Sequence, residues 1–387
     1  MKIAYVCTDP GVPVFGNKGG SIHVQSVVRA LMAQGAEVVL YARRIGGEPP
    51  AGLDTVRVCK LTKAPRGQTP EREQFLLDAN RQVRELLAGE AEWDLVYERH
   101  ALFSFAAMEY ARKAGIPGLL EVNAPLVEEQ QRFRTLSLVD DAEHAATRCF
   151  AAASGLLAVS RPLATWLSRR PEAAGRVHIV PNGVDVERFG PGVLPTLPDH
   201  AGRVTIGFVG SLRPWHGVEQ LVEAFVQLRQ EGLPLRLLIV GDGPMREQIE
   251  QMCASQADSV VFTGAVPLTD IPGLIASMDI AAAPYPRMEG FYFSPLKLYE
   301  YMAGGVSIVA SGLGQVCEVI DHEQTGLLYE PGNVPALCGT IRRLAEDPNL
   351  RAMLGSNARA KACRDHRWEC VASKILQLAR AHREVPA

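Results

Sequence analysis

The sequence lacks most marks of a specialised chain. Its eight cysteines, at 7, 59, 149, 253, 317, 338, 363 and 370, form no C-x-x-C pair. Scattered singly, with Cys7, Cys59 and Cys149 inside apolar runs, they exclude a zinc cluster or a disulfide scaffold and read as reduced, buried thiols of a cytoplasmic protein. Charge is sparse: 21% of residues carry it and the formal net charge is −3. There is no basic field for nucleic acid. No apolar run reaches the length of a membrane span. Residues 101–111 are too few and include Glu109, and residues 145–160 include Arg148. The opening apolar run is only a strand long before Asp9-Pro10, so no signal peptide is expected. G-x-G-x-x-G is missing after the first strand-like run of either half, as are Asp-x-Asp in a suitable loop and internal repeats. What remains is 387 residues, 47% of them hydrophobic, enough for two domains with full cores.

Strand-like and helical stretches alternate along the chain. Strand-like runs fall at 2–7, 37–42, 56–61, 94–99, 118–123, 155–160 and 177–181, with helical spacing from Ile22 to Gly35 and at 71–87, 101–114 and 128–153. A second series has strands at 204–210, 235–241, 260–264, 279–284 and 306–311, with helices at 219–231, 245–256 and 335–345. An amphipathic helix at 370–382 closes the chain. Such alternation predicts an α/β protein with two parallel, doubly wound sheets. The Pro/Gly-rich stretch 191–203 is the expected linker between a first domain, 1–190, and a second, 204–366. Ligands of such sheets bind at the carboxyl ends of strands. Those ends carry Arg99 with His100, Asn123, Ser160 and Asn182-Gly183, for each of which a loop hydrogen bond is the plainer reading. Gly19-Gly20 sits where the first strand hands over to a helix. It either lets a phosphate or sugar approach the backbone or simply allows the turn.

Four loops of the second series, GSLRPWHG, GDGPM, TGAVP and PYPRMEG, end strands of one sheet and should converge on one edge. The last runs into EGFYFSPLKLYEYMAGG, residues 289–305. Ser294 reads as an N-cap with Pro295 at the first helical position. A helix start offers free amides and partial positive charge to an anion. Lys297 adds a full charge, and Glu300, three residues on, lies on roughly the same side, where it can accept from two neighbouring hydroxyls. A phosphate beside a diol describes a nucleoside diphosphate with its ribose. The plain reading is a capped helix with a solvated ion pair.

Taken in order, NKGGSIHV, VPNGVDVERF, FVGSLRPWHGVEQLVEAF, GDGPMREQIE, VFTGAVP, DIAAAPYP and EYMAGGVSIVAS resemble the retaining glycosyltransferases of family 4 over nearly the whole chain. The resemblance implies the two-domain GT-B fold, facing across a cleft, with the segment 367–387 crossing back to the first domain. It implies transfer of a hexose or N-acetylhexosamine from a nucleoside-diphosphate sugar, a UDP-sugar being expected, to an acceptor hydroxyl. It also implies no cofactor and no metal. Lys297, Arg213, Gly20 and the amides around Ser294, Pro295 and Leu296 would hold the diphosphate, Glu300 the ribose, and the segment 263–266, ending at Val266, the base. Gly19, Gly210, Ser211, His216, Gly241 and Phe291 complete the implied donor site. Glu289 and Asn123 stand at the reacting end, and Arg99 and Asn123 face the acceptor.

Three departures from the family pattern stand out. Eight residues before Glu300, where the family has its first glutamate, lies Tyr292. Either the loop is longer and Glu289 keeps the role, or the role is gone. The family's phosphate-binding Arg and Lys fall on Ser211 and His216, for which Arg213 and a protonated His216 would substitute. The family's histidine after the strand ending EVNAP becomes Asn123, which cannot act as a base. For the acceptor, a small aminocyclitol, a simple sugar or glycan, and a lipid-linked glycan stay open. Glu98, Glu121, Glu128 and Glu129 either meet a cationic acceptor or are solvated. Rival readings are a nucleotide-sugar epimerase on the same fold, a nucleotide-binding oxidoreductase and a non-catalytic sugar-binding protein.

Overall fold

A computed structural model describes residues 1–90 and 92–383. Among them, two parallel sheets carry the chain. The first comprises β1 (Lys2–Cys7), β2 (Glu37–Ala42), β3 (Arg57–Lys60), β4 (Leu95–Arg99), β5 (Gly118–Val122), β6 (Gly155–Ala158) and β7 (Val177–Ile179), ordered β3-β2-β1-β4-β5-β6-β7. The second comprises β8 (Val204–Val209), β9 (Leu235–Val240), β10 (Val260–Gly264), β11 (Ile280–Ala283), β12 (Ser307–Ser311) and β13 (Leu327–Tyr329), ordered β10-β9-β8-β11-β12-β13. Strands such as KIAYVC and LRLLIV are apolar on both faces because helices cover both faces of a parallel sheet. In each sheet the first strand lies inside, with its successor on one side and a later strand on the other. The order therefore reverses between β1 and β4, and between β8 and β11, and ligands of such sheets bind in that crevice.

Contacts divide the chain into two units. The first holds Met1–Asn182, Tyr292–Ser294 and the C-terminal helix Trp368–Arg383; the second holds Gly183–Phe291 and Pro295–Arg367. The division falls before 190 because the segment after Asn182 is tied into the second unit. The Val184 amide donates to the His366 carbonyl at 2.7 Å, and Arg188 donates to the Leu268 carbonyl. The stretch expected as a linker is held there too, where Thr196 N donates to Gly273 O and Arg236 donates to Leu197 O. The closing helix packs along the helix Gly19–Ala33, with the Trp368 ring edge-on to His23 at 5.4 Å. Residues 384–387 of the expected closing segment lie outside the described residues.

Three expected helices of the first unit are shorter or divided, for identifiable reasons. The stretch 71–87 splits into Pro70–Asp78 and Asn80–Ala88. Asn80 at the break donates to Leu77 O and Phe103 O and accepts from the Phe105 and Ala106 amides. The same acceptor delays the next helix, expected from 101, to Ala106–Ala114. The stretch 128–153 becomes Leu126–Phe133 and Val139–Ala152, because the buried Glu73 carboxylate takes the amides of Ser137 and Leu138 between them. β13 and the helix Pro348–Asp365 had no clear sequence signal. The buried positions of that helix, Leu354, Gly355, Ala358 and Ala362, are mostly small and leave little apolar periodicity to read. No helix among the described residues is long and apolar enough to cross a membrane.

Candidate functional site

In the second unit the site grows from the switch point between β8 and β11. β8 ends at Val209, and Gly210 follows with φ +146°, a conformation that L side chains rarely adopt. A Cβ on Gly210 would come within 2.8 Å of the Lys297 ammonium. Gly210 is closely backed in turn, since a Cβ on Gly241 would meet the Gly210 carbonyl oxygen at 2.0 Å. These two glycines let the backbone close on Lys297 from beneath. Lys297 itself rises from the helix Leu296–Gly304 and is 9% exposed. Its Nζ lies 3.9 Å from the centroid of Phe208 and has no hydrogen-bond partner among the described residues. Burial pushes the ammonium down to about 7, with Glu300 opposing the shift. A buried cation without a partner is costly unless an anion completes it.

The expected helix start is corrected by one residue. Pro295, with ψ 113°, occupies the N-cap, and Leu296 is the first helical residue. Ser294 lies outside the helix and is grouped with the first unit, where its carbonyl accepts from the Asn182 amide at 2.7 Å. Proline fixes φ but not ψ, so the turn closes after it. Glu300, half-buried, is raised by burial and lowered by Arg188 and Lys297, so three charges share that side of the helix. In the sequence Arg188 is marked only by its place in VPNGVDVERF.

His216 does not supply the cation expected of it. Burial first, then the charge of Lys297, pushes it down to about 3. The ring is neutral near pH 7, with Nδ1 against the Ser211 carbonyl oxygen. The real cations nearby are Lys297 and the exposed Arg213, whose guanidinium sits 5.6 Å from the Trp215 ring. Phe291 is buried and edge-on to Tyr285 at 5.0 Å, a wall and not an open contact. Glu289 is exposed beside Gly290, whose φ is +68°. Val266 is half-exposed, two residues beyond the left-handed Gly264. The tyrosine in the family glutamate's place, Tyr292, points its hydroxyl to Glu129 at 2.6 Å within the first unit.

The first unit gathers its own cluster beside its switch point. Glu121, 3% exposed on β5, accepts from His23 Nε2 (2.6 Å), Tyr97 Oη (2.6 Å), Arg99 Nη1 (2.7 Å) and Asn123 Nδ2 (2.6 Å). Burial alone would raise its pKa; His23, Arg99 and Tyr97 overcome that and hold it well below the carboxylate range. Gly19 and Gly20 open the helix after β1, and a Cβ on Gly20 would stand 3.6 Å from Arg99 Nη2. The two acceptor-side residues read from the sequence, Arg99 and Asn123, are thus brought together, on a carboxylate that had been left either meeting a cation or solvated. Glu98 is also buried, accepts from the Ser104 hydroxyl, and is pushed up to about 7 by burial. Neither glutamate is solvated. A charge set inside an apolar strand, as in LLEV and LVYER, was the signal available for both.

Comparison with known proteins bears on both halves. Residues 17–188 match the family model described as Glycosyltransferase Family 4, and residues 203–347 the model described as Glycosyl transferases group 1. The chain belongs to the family 4 glycosyltransferases. Among curated members, 2-deoxystreptamine glucosyltransferase of Streptomyces kanamyceticus is 30% identical, over 62% of this chain and 64% of that protein. D-inositol 3-phosphate glycosyltransferase of Jonesia denitrificans is 28% identical, over 97% of this chain and 95% of that one. The match to the first thus spans just under two thirds of that relative's length. Solved structures with the same fold include sucrose-phosphate synthase of Thermosynechococcus elongatus (TM-score 0.74, 22% identity, 98% of each chain). Another is Anabaena HepE in complex with UDP and glucose (TM-score 0.73, 21% identity, 98% of this chain and 100% of that one). The two sheets of this family 4 glycosyltransferase are those of the GT-B class.

Proposed function

We propose that this chain transfers a hexose or N-acetylhexosamine from a UDP-sugar to an acceptor hydroxyl, with retention at the anomeric carbon and without a metal. The observation that carries the reading is Lys297, a buried ammonium with no partner among the described residues, set against Gly210 one position into its helix. As the sugar leaves, charge grows on the β-phosphate. Lys297, Arg213 and the amides at the helix start answer it without reorganising, at roughly 2.7–4 kcal/mol per well-placed donor. The acceptor hydroxyl attacks from the leaving-group face, its oxygen bonding the anomeric carbon as the bond to phosphate oxygen breaks. The departing phosphate oxygen takes the proton. Asn123 orients the hydroxyl and removes no proton. The names of two curated relatives, one a 2-deoxystreptamine and one a D-inositol 3-phosphate glycosyltransferase, support a cyclitol, amine-bearing or phosphorylated, as acceptor.

Incubation with radiolabelled UDP-glucose or UDP-N-acetylglucosamine, with and without a cyclitol acceptor and with excess EDTA, tests this. A glycosylated acceptor of retained configuration, formed in EDTA, is expected. Activity lost in EDTA and restored by Mg²⁺ or Mn²⁺ overturns the metal-free part. Epimerised donor without acceptor overturns the transferase reading.

A further inference from the structure

We propose that Glu121 is a positioning residue that makes the acceptor subsite a hydrogen-bond acceptor, so that it selects neutral or amine-bearing polyols over phosphorylated ones. This rests on the transferase reading above and goes beyond it by fixing the polarity of the acceptor side. A carboxylate only accepts hydrogen bonds. The Asn123 atom 2.6 Å from Glu121 Oε1 is therefore its amide nitrogen. That leaves Asn123 Oδ1, on a half-exposed side chain, as the atom offered to a ligand, and no donor among the described residues reaches it. An oxygen there receives a hydroxyl or ammonium hydrogen and repels phosphate.

Arg99 is disarmed by the same carboxylate. Its Nη1 is spent on Glu121 Oε1 at 2.7 Å, and the Asp9 carboxylate at the end of β1 is close enough to act on the guanidinium. A phosphate approaching Arg99 meets one carboxylate already paired with it and the negative charge of a second nearby. His23 and Tyr97 occupy the other oxygen, Oε2, each at 2.6 Å, so Glu121 cannot rotate to release Asn123 or Arg99 without breaking buried hydrogen bonds. Three elements, β4, β5 and the helix Gly19–Ala33, thus hold one carboxylate in one orientation, and through it the facing atoms of the subsite.

Calorimetry with saturating UDP tests the assignment, using 2-deoxystreptamine, myo-inositol and myo-inositol 1-phosphate as probes. The two unphosphorylated cyclitols should bind at least about tenfold tighter than the phosphate, the size of a single well-placed hydrogen-bond difference. In Glu121→Gln, an amide replaces part of the acceptor set and Asn123 is free to turn its nitrogen outward. The ratio should shrink about tenfold while UDP binding stays unchanged. Adding Asn123→Asp to Glu121→Gln returns an acceptor-only atom to position 123 and should restore the preference. Should Glu121→Gln not fold, Asn123→Ala in the otherwise unchanged protein must lose the unphosphorylated cyclitols and keep UDP. A preference for the phosphorylated probe, no binding of any cyclitol at millimolar concentration, or a ratio unmoved by Glu121→Gln overturns the proposal. Retained UDP binding in the same cell keeps that failure apart from a failure of the donor reading.

Discussion

Raising the pH should weaken UDP binding through Lys297. In the unliganded protein burial pushes its ammonium down to about 7, partly offset by Glu300. A diphosphate placed against Nζ restores the charge. The bound form then holds a proton that about half of the free protein lacks at pH 7. Between pH 7 and pH 9 the protonated fraction of the free form falls from about one half to about one hundredth. UDP affinity should drop about fiftyfold, or about 2 kcal/mol, over that interval. The last ionisation of a terminal phosphate lies near pH 6, below this range. Folding linkage has the opposite sign. Above about 7 the folded, unliganded chain binds fewer protons at Lys297 than the unfolded chain, whose lysine keeps its ordinary value of 10.5. Unliganded stability should therefore gain from this residue as pH rises toward that value. Calorimetry of UDP at pH 8, in two buffers of different ionisation heat, should show uptake of nearly one proton. Lys297→Met should abolish both the uptake and the slope. UDP binding without proton uptake, or the same slope in Lys297→Met, would refute the reasoning.

Gly210→Ala puts a methyl against Lys297 Nζ at a backbone angle of +146°, so UDP should weaken at least tenfold while uridine is unaffected; equal loss of both points to a misfolded loop. Glu300→Ala should weaken UDP by about 1.5–3 kcal/mol through loss of a charged partner for the ribose, whereas Glu289→Ala should spare UDP and lower transfer or relax donor choice. Initial rates with two donor sugars check the second half, and a Glu289→Ala enzyme with wild-type rate and preference sinks it. Asn80→Ala strands the buried amides of Phe105 and Ala106 and the carbonyl of Phe103, so urea unfolding should show a loss of about 2–4 kcal/mol with activity per folded molecule retained.

What could be read from the sequence follows from what is locally encoded. Apolar runs such as LRLLIV announce a strand wherever they fall, and their alternation with helical spacing implies both sheets. Gly210 and Lys297, far apart in sequence, can each be placed beyond a strand's carboxyl end because each ends or begins an element there. The failures were matters of partnership across distance. Asn80 breaks a helix because Phe103, Phe105 and Ala106 fold beside it, and Glu73 ends another by taking amides some sixty residues away. His216 looked like a candidate cation until burial and the neighbouring Lys297 removed its proton. Glu121 looked like one more carboxylate until His23, Tyr97, Arg99 and Asn123 closed on it. The helix Pro348–Asp365 escaped because small residues pack its inner face.

The placement of the last helix bears on the order in which the chain becomes a protein. Trp368–Arg383 belongs with a body whose other strands and helices were made first. As the ribosome releases the chain, Met1–Asn182 emerges with the groove along Gly19–Ala33 uncovered. Residues through Arg367, the whole of the second body, appear before anything can cover it. The half of the chain translated later can therefore finish folding first, and the earlier half must wait for the closing helix. Truncation just before Trp368 should strand it in that waiting condition, with the His23 face of the groove open to solvent or chaperone.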